Sequence, residues 1–127
     1  MVAVSAVTLF VEDLAAARAW YARAFGVREF FSDADSVVFQ FDGMLINLLR
    51  VEEAPDLIAP AEPGGADAGP RAQYTVTVSD VDDAVASLRA AGVEVLNGPM
   101  DRSWGVRTAA FADPAGHVWE FAEQLEA

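Results

Sequence analysis

The sequence predicts an α+β domain made of two βαβββ modules, and three observations support this prediction. The segment from Ala6 to Phe31 is echoed from Gln73 to Asn97, each copy being an alternating strand, an aspartate, a helical stretch and a Gly-Val pair. Two further strand-like runs, separated by a glycine-containing turn, follow each copy. At 127 residues the chain is long enough for one core and too short for two independent ones. A period near half the chain length indicates two copies of one supersecondary unit.

The first module is assigned to residues 1–51. Asp13 is placed to cap a helix rich in alanine, and Gly26 is placed to end it. Asp42-Gly43 is the strongest short hairpin signal in the chain. Alternation of apolar and polar residues predicts four strands in this module, at Val4–Glu12, Val27–Phe31, Ser36–Phe41 and Met44–Val51.

The amino-acid composition changes in the next segment, residues 52–71. It holds four of the six prolines of the chain and is typical of a loop or linker. Long segments without regular structure are uncommon in compact domains and are usually mobile lids or connections between modules. Both alternatives stay open for this segment, and its length permits exchange of modules between two chains.

The second module, residues 72–127, repeats the plan of the first. Asp80 is expected to cap a helix that runs through Ala91. The turn Asp113–Gly116 separates the last two strands. The four strands of this module are predicted at Gln73–Ser79, Val93–Leu96, Val106–Ala112 and His117–Glu123.

Charge and composition exclude several classes of function. The formal net charge of −12 repels a phosphate backbone, so no nucleic-acid partner is expected. The same charge either attracts a cationic small molecule or serves solubility alone. No apolar run approaches the roughly 20 residues that a spanning helix needs, and no secretory signal pattern is present, so no membrane association is expected. The absence of cysteine fits a cytoplasmic protein.

Three strings together resemble one known superfamily. They are VTLFVEDLAAARAWYARAFG in the first module, VTVSDVDDAVASLRAAGV in the second and WGVRTAAFADPAGHVWEF near the end. In this order and with this duplication, the chain resembles the vicinal oxygen chelate superfamily, also called the glyoxalase/bleomycin resistance/dioxygenase superfamily. The resemblance implies two βαβββ modules that form an open, curved barrel around a ligand cleft, and a homodimer.

The resemblance also implies positions for a metal ion, because metalloenzymes of this superfamily usually take a His or Glu from the first and last strand of each module. The corresponding residues here are Ala6, Asn47, Gln73 and Glu120. Only Glu120 is a strong ligand, and one carboxylate with two amides is a poor donor set for a divalent ion. We therefore expect no metal and no other cofactor; if a divalent metal is bound, Gln73 and Glu120 are its ligands.

Strand parity predicts which side chains face a ligand. If Glu120 faces the cleft, Trp119 points under the helix and belongs to the core, and the single histidine, His117, lies on the face opposite to Glu120 as a turn or surface residue. The residues that share the face of Glu120 combine polar and apolar groups, as small-molecule sites do. Alternatively, these polar groups hydrogen-bond one another and fill a small barrel without a ligand. The candidate ligand-binding residues on this face are Thr8, Phe10, Asn47, Gln73, Thr75 and Glu120.

Two further candidates lie just before the predicted strand Val106–Ala112 and within it. Trp104, in a polar loop, lies where members of the superfamily have an aromatic-glycine segment at the mouth of the cleft, and it is a candidate for stacking on a ligand. Arg107 either pairs with Glu120 or an acidic ligand, or is an ordinary surface arginine.

These features predict metal-free binding or sequestration of a small organic molecule, such as an antibiotic. The alternative is a metal-dependent lyase, isomerase or dioxygenase of the same superfamily that uses Gln73 and Glu120. The sequence contains no P-loop, dinucleotide fingerprint or nucleophile elbow, and no catalytic residue is assigned.

Overall fold

The computed structural model describes residues 2–126 and has the predicted α+β architecture. In the first module, strand β1 and helix α1 are followed by strands β2 to β4: Ala6–Val11, Leu14–Phe25, Arg28–Ser32, Ser36–Phe41 and Met44–Arg50. A 3₁₀ turn at Val51–Glu53 and a short helix α2 at Pro55–Ile58 come next. The second module comprises β5, α3 and β6 to β8: Gln73–Thr77, Val81–Ala90, Val95–Asp101, Val106–Ala112 and Val118–Gln124.

The chain divides after Ala68 into two compact units, each with one four-stranded sheet. The strand order is β1-β4-β3-β2 in the first unit and β5-β8-β7-β6 in the second. In both sheets the first strand pairs in parallel with the last strand, and the other neighbours are antiparallel. The two sheets therefore have the same topology, which confirms the predicted duplication of a βαβββ module.

Both long helices begin at the predicted aspartates. Asp13 Oδ1 accepts a hydrogen bond of 3.0 Å from the backbone N–H of Ala16, and Asp80 Oδ1 accepts one of 3.0 Å from that of Asp83. Each carboxylate satisfies an N–H that has no partner within its own helix. Gly26 ends α1 in the left-handed conformation, as predicted.

In the first unit, one face of the sheet packs against α1. Alternate residues of the strands are buried there, and the rings of Tyr21 on α1 and Phe39 on β3 stack with centroids 6.0 Å apart. Because side chains alternate between the two faces of a strand, the odd-numbered residues of β1 and the even-numbered residues of β4 form this core. Its buried strand residues are Leu9, Val11, Val37, Phe39, Ile46 and Leu48.

The second unit has the equivalent core beneath α3. Trp119 is 2% exposed, and its ring lies 5.2 Å from that of Tyr74. Phe111 and Phe121 are both buried with ring centroids 4.7 Å apart. The prediction that Trp119 belongs to the core is confirmed. Burial raises the pKa of the Tyr74 hydroxyl, and the nearby charge of Asp113 adds to this effect.

Two segments differ from the sequence-based prediction. The first part of segment 52–71 is helical rather than irregular, because Pro55 occupies the first turn of α2, where a proline removes no hydrogen bond. Strand β6 begins two residues later than predicted and extends to Asp101. Its pairing with β7 contains two register shifts, and Gly98 and Pro99 are accommodated within the strand. No helix within residues 2–126 is long and apolar enough to cross a membrane.

Candidate functional site

Each sheet has one face covered by the helix of its own unit and an opposite face, which we call the helix-free face. In the first unit Thr8 and Asn47 are direct cross-strand neighbours on this face. Asn47 Nδ2 donates a hydrogen bond of 3.3 Å to Thr8 Oγ1. The amide oxygen of Asn47 is buried and has no hydrogen-bond partner within residues 2–126. Such an atom retains the cost of its desolvation until a donor reaches it.

The second unit has the equivalent pair, Thr75 and Glu120. They are neighbours in the parallel pairing of β5 with β8, and Thr75 Oγ1 donates a hydrogen bond of 2.9 Å to Glu120 Oε1. Gln73 lies on the same face of β5 and is exposed. The cross-strand neighbour of Glu120 on β7 is Ala110, which is buried.

The sequence leaves open that the polar groups of this face hydrogen-bond one another instead of a ligand. Thr8 with Asn47 and Thr75 with Glu120 do so, each within its own unit. The bonds fix the side chains of Asn47 and Glu120, and they leave the amide oxygen of Asn47 without a partner within residues 2–126. Phe10 lies beside Leu49 at the same face, and both are half-buried, so they supply apolar surface next to the first pair.

Trp104 stands out from the surface of the second unit. Its side chain is 69% exposed in the turn that precedes β7. The guanidinium of Arg102 lies 5.9 Å from the ring centroid, and Arg102 Nε donates a hydrogen bond of 2.9 Å to Thr108 Oγ1. The tryptophan therefore offers an open ring face above an anchored cation, an arrangement suited to stacking.

Arg107 has partners that the sequence did not suggest. It forms ion pairs of 2.7 Å with Asp101 and 2.8 Å with Asp82. The hydrogen bond to Asp101, aided by the charge of Asp82, raises the pKa of Arg107. Its cross-strand neighbour on β8 is Glu123, three residues from Glu120, so the structure does not pair Arg107 with Glu120. A ligand-binding role for Arg107 stays a prediction.

The donor set at the four superfamily metal positions does not fit a divalent ion. Ala6 has no donor atom, Asn47 and Gln73 offer neutral amides, and Glu120 already accepts a hydrogen bond from Thr75. Within residues 2–126 no three His, Cys, Asp or Glu side chains are grouped as metal ligands are. His117 lies in the turn before β8, where its backbone N–H donates 2.8 Å to Asp113 Oδ1, which agrees with its prediction as a turn residue.

A pocket in the first unit was missed by the sequence analysis. It has a volume of about 340 Å³ and lies between the β2–β3 turn, the helix-free face and the start of the segment after β4. Asp35 lies beside Glu53, and this neighbouring charge raises the pKa of Glu53. Only Asn47 among its lining residues was a predicted candidate. The lining residues are Asp33, Asp35, Ser36, Asn47, Leu49, Glu53, Asp56 and Leu57; we call this the acidic pocket.

The duplicated fold and the positions of these pairs define the class of protein. The profile of the Glyoxalase/Bleomycin resistance protein/Dioxygenase superfamily matches residues 3–121, nearly the whole chain. The chain belongs to this superfamily.

Solved structures share the fold over almost all of the chain. A glyoxalase/bleomycin resistance protein/dioxygenase from Nocardioides has a TM-score of 0.87 at 23% identity, covering 100% of this chain and 86% of that chain. Lactoylglutathione lyase from Agrobacterium tumefaciens has a TM-score of 0.77 at 23% identity, covering 95% and 92%. TioX from Micromonospora sp. ML1 has a TM-score of 0.76 at 27% identity, covering 97% and 99%. Comparison with curated proteins gives no match.

Proposed function

We propose that the protein binds and sequesters a small organic molecule, such as an antibiotic, without a metal ion. The observation that carries this proposal is the donor set at the superfamily metal positions. Only Glu120 among these residues is anionic, and Thr75 holds its Oε1 at 2.9 Å. A carboxylate oriented in this way is suited to a hydrogen bond or ion pair with an organic ligand.

Two further features support binding of an organic molecule. Trp104, which is 69% exposed, gives a surface on which an aromatic or cationic group stacks. The net charge of −12 favours ligands of positive charge and raises their concentration near the protein. Thr8, Phe10, Asn47, Gln73, Thr75, Trp104, Arg107 and Glu120 are the proposed ligand-binding residues.

Homodimer formation and a cytoplasmic location are part of the same proposal. Both follow from the superfamily resemblance and from a cysteine-free sequence. Light scattering at micromolar concentration is expected to give twice the chain mass of 13.5 kDa. A mass of 13.5 kDa under these conditions contradicts the dimer.

A thermal-shift screen tests the binding proposal. The panel contains cationic glycopeptides, aromatic antibiotics and small α-keto compounds, each with and without a chelator. A ligand at 100 times its dissociation constant adds about 2.7 kcal/mol of stability. We expect a hit whose shift survives the chelator and decreases in Glu120→Gln. The matched control is Glu12→Gln, which changes an exposed carboxylate just after β1. A hit that needs added metal as well as Glu120 favours the metal-dependent alternative that uses Gln73 and Glu120.

A further inference from the structure

We infer that Arg102, together with the ring of Trp104, forms a binding site for a carboxylate group carried on a planar ring. The inference rests on the proposed function and deepens it, because it names an arginine that faces the ligand and the chemical class of the group that it binds. Arg107 is the arginine that the sequence suggests for an acidic ligand. The structure gives the two arginines different surroundings.

The contacts of Arg107 make it less suited to this role. It forms ion pairs of 2.8 Å with Asp82 on α3 and 2.7 Å with Asp101 on β6. The contact with α3 places its guanidinium on the side of the sheet that the helix covers. Arg107 also uses the carboxylate that precedes Arg102 in the chain, and Arg102 is left without that partner.

Arg102 follows β6, and a hydrogen bond holds its side chain at the helix-free face of the second unit. Its Nε donates 2.9 Å to Oγ1 of Thr108 on β7, a residue that is buried and therefore a fixed anchor. Thr108 and Ala110 are two residues apart on one strand and point to the same face. Ala110 is the cross-strand neighbour of Glu120. Arg102 is therefore anchored on the face that carries Glu120, about 7 Å along the strand from its neighbour.

The guanidinium of Arg102 has hydrogen-bond donors that the protein does not use. Its terminal nitrogens, Nη1 and Nη2, have no acceptor and no ion-pair partner within residues 2–126. An arginine held at Nε presents these nitrogens as a planar fork, which matches the two oxygens of a carboxylate. The chain has 20 acidic and 8 basic residues, so a half-buried arginine without an acidic partner in this range stands out. An acidic ligand supplies that partner.

Trp104 provides the surface for the rest of the ligand. It is 69% exposed, and the guanidinium of Arg102 lies 5.9 Å from its ring centroid. Stacked aromatic rings have centroids about 4.5–7 Å apart. The guanidinium is therefore no further from the tryptophan than a stacked ring is, and one compact aromatic carboxylate can contact both side chains.

The net charge of −12 is compatible with such a ligand. Exposed charges more than about 8–10 Å apart are largely screened at physiological ionic strength, whereas a carboxylate in contact with Arg102 is not. Glu120 on the same face can bind a basic group of the same ligand. The inference therefore agrees with the preference for positive charge in the proposed function.

The test uses 2-naphthoate as the probe and 2-naphthamide, which has a similar shape without the charge, as its counterpart. Proton–nitrogen NMR spectra of the full chain are expected to show 2-naphthoate shifting the indole N–H of Trp104 and the Nε–H of Arg102, with 2-naphthamide binding at least tenfold more weakly. In Arg102→Gln the affinity for 2-naphthoate is expected to fall about tenfold or more, the loss of a charge-assisted contact. The control Arg89→Gln removes an exposed arginine from the last turn of α3 and is expected to bind like the unmodified chain.

The outcomes separate this inference from the proposed function. Equal affinity for 2-naphthamide overturns the carboxylate as the ligand class, and this comparison needs no substitution, so it decides the question even if Arg102→Gln does not fold. Normal binding by a folded Arg102→Gln, or an equal loss in Arg89→Gln, overturns the assignment of Arg102. Absence of binding to 2-naphthoate overturns the inference, while the antibiotic screen with Glu120→Gln decides the proposed function separately.

Discussion

Thr75 Oγ1 donates a hydrogen bond of 2.9 Å to Glu120 Oε1 at the same position of its module where Asn47 donates to Thr8 in the other. In both modules the pair joins the first strand to the last strand across a parallel ladder. The duplicated fold therefore repeats a threonine contact while changing its partner from a neutral amide to a carboxylate. The two pairs therefore differ in charge, with an amide in the first module and a carboxylate in the second.

The orienting role of Thr75 can be tested with a matched pair of variants. Thr75→Val removes the donor to Glu120, whereas Thr77→Val changes an exposed threonine on the same face of β5. Titration with the best hit of the antibiotic screen is expected to show about tenfold weaker binding for Thr75→Val, the loss of one hydrogen bond to a charged group. Thr77→Val is expected to bind normally. Equal effects of both substitutions contradict an orienting role for Thr75.

The two tryptophans separate ligand binding from folding. Trp119→Ala is expected to lower the free energy of unfolding by about 3–5 kcal/mol, because it empties a buried site beside Tyr74. Trp104→Ala is expected to leave folding nearly unchanged and to weaken ligand binding by about 1–3 kcal/mol, the scale of losing an aromatic anchor. Chemical denaturation and ligand titration measure the two effects. If Trp104→Ala unfolds the protein and Trp119→Ala leaves it stable, the two faces of β8 have been assigned the wrong way round.

Gly98 tests the irregular pairing of β6 with β7. A Cβ at this position overlaps the carbonyl oxygen of Thr108 and comes within 2.9 Å of Ala109 Cα, and the backbone φ is +80°. Gly98→Ala is expected to cost roughly 3 kcal/mol or more, from left-handed strain together with overlap with backbone atoms. Gly43→Ala is the control, because φ is +76° there but nothing lies within 4 Å of the added Cβ. It is expected to cost only about 1–2 kcal/mol. Equal costs in urea denaturation contradict the close approach at Gly98.

The raised pKa of Glu53 predicts that the stability of the protein depends on pH. Its pKa is raised by Asp35, so its contribution to stability is fully present below the ordinary pKa of 4.5 and is lost as the pH rises through the raised value. Glu53→Gln is expected to raise the melting temperature near neutral pH and to have little effect at about pH 4. The control Glu52→Gln removes a partner of Arg50 and is expected to give no such gain. A lower melting temperature of Glu53→Gln at neutral pH contradicts the repulsion between Glu53 and Asp35.

The parts of the structure set by local chemistry could be predicted from the sequence. Asp13 and Asp80 begin helices because the carboxylate needs only the adjacent turn, and Trp119 is buried because alternation fixes its face. The extent of strand β6 could not be predicted, because the strand-like pattern ends at Leu96 and only pairing with β7 continues the strand to Asp101.

The acidic pocket depends on contacts between distant parts of the chain. The backbone N–H of Arg50 donates 2.9 Å to the carbonyl of Asp35, and this contact brings the segment after β4 beside the β2–β3 turn. The spacing of Asp35 and Glu53 in the sequence does not indicate that they lie close together. Arg107 likewise takes Asp82 as a partner only because α3 packs on its side of the sheet. Strand parity therefore predicts on which face a candidate residue lies. It does not predict contacts that a strand residue or a loop makes with a distant loop or helix.

Elemental analysis of protein purified without a chelator tests the central claim, metal-free binding, most directly. The donor set of Asn47, Gln73 and Glu120 predicts no stoichiometric divalent metal in the purified protein, and the same low content in Glu120→Ala. A stoichiometric divalent ion that is lost in Glu120→Ala contradicts the claim and identifies a metal-dependent site at Glu120 instead.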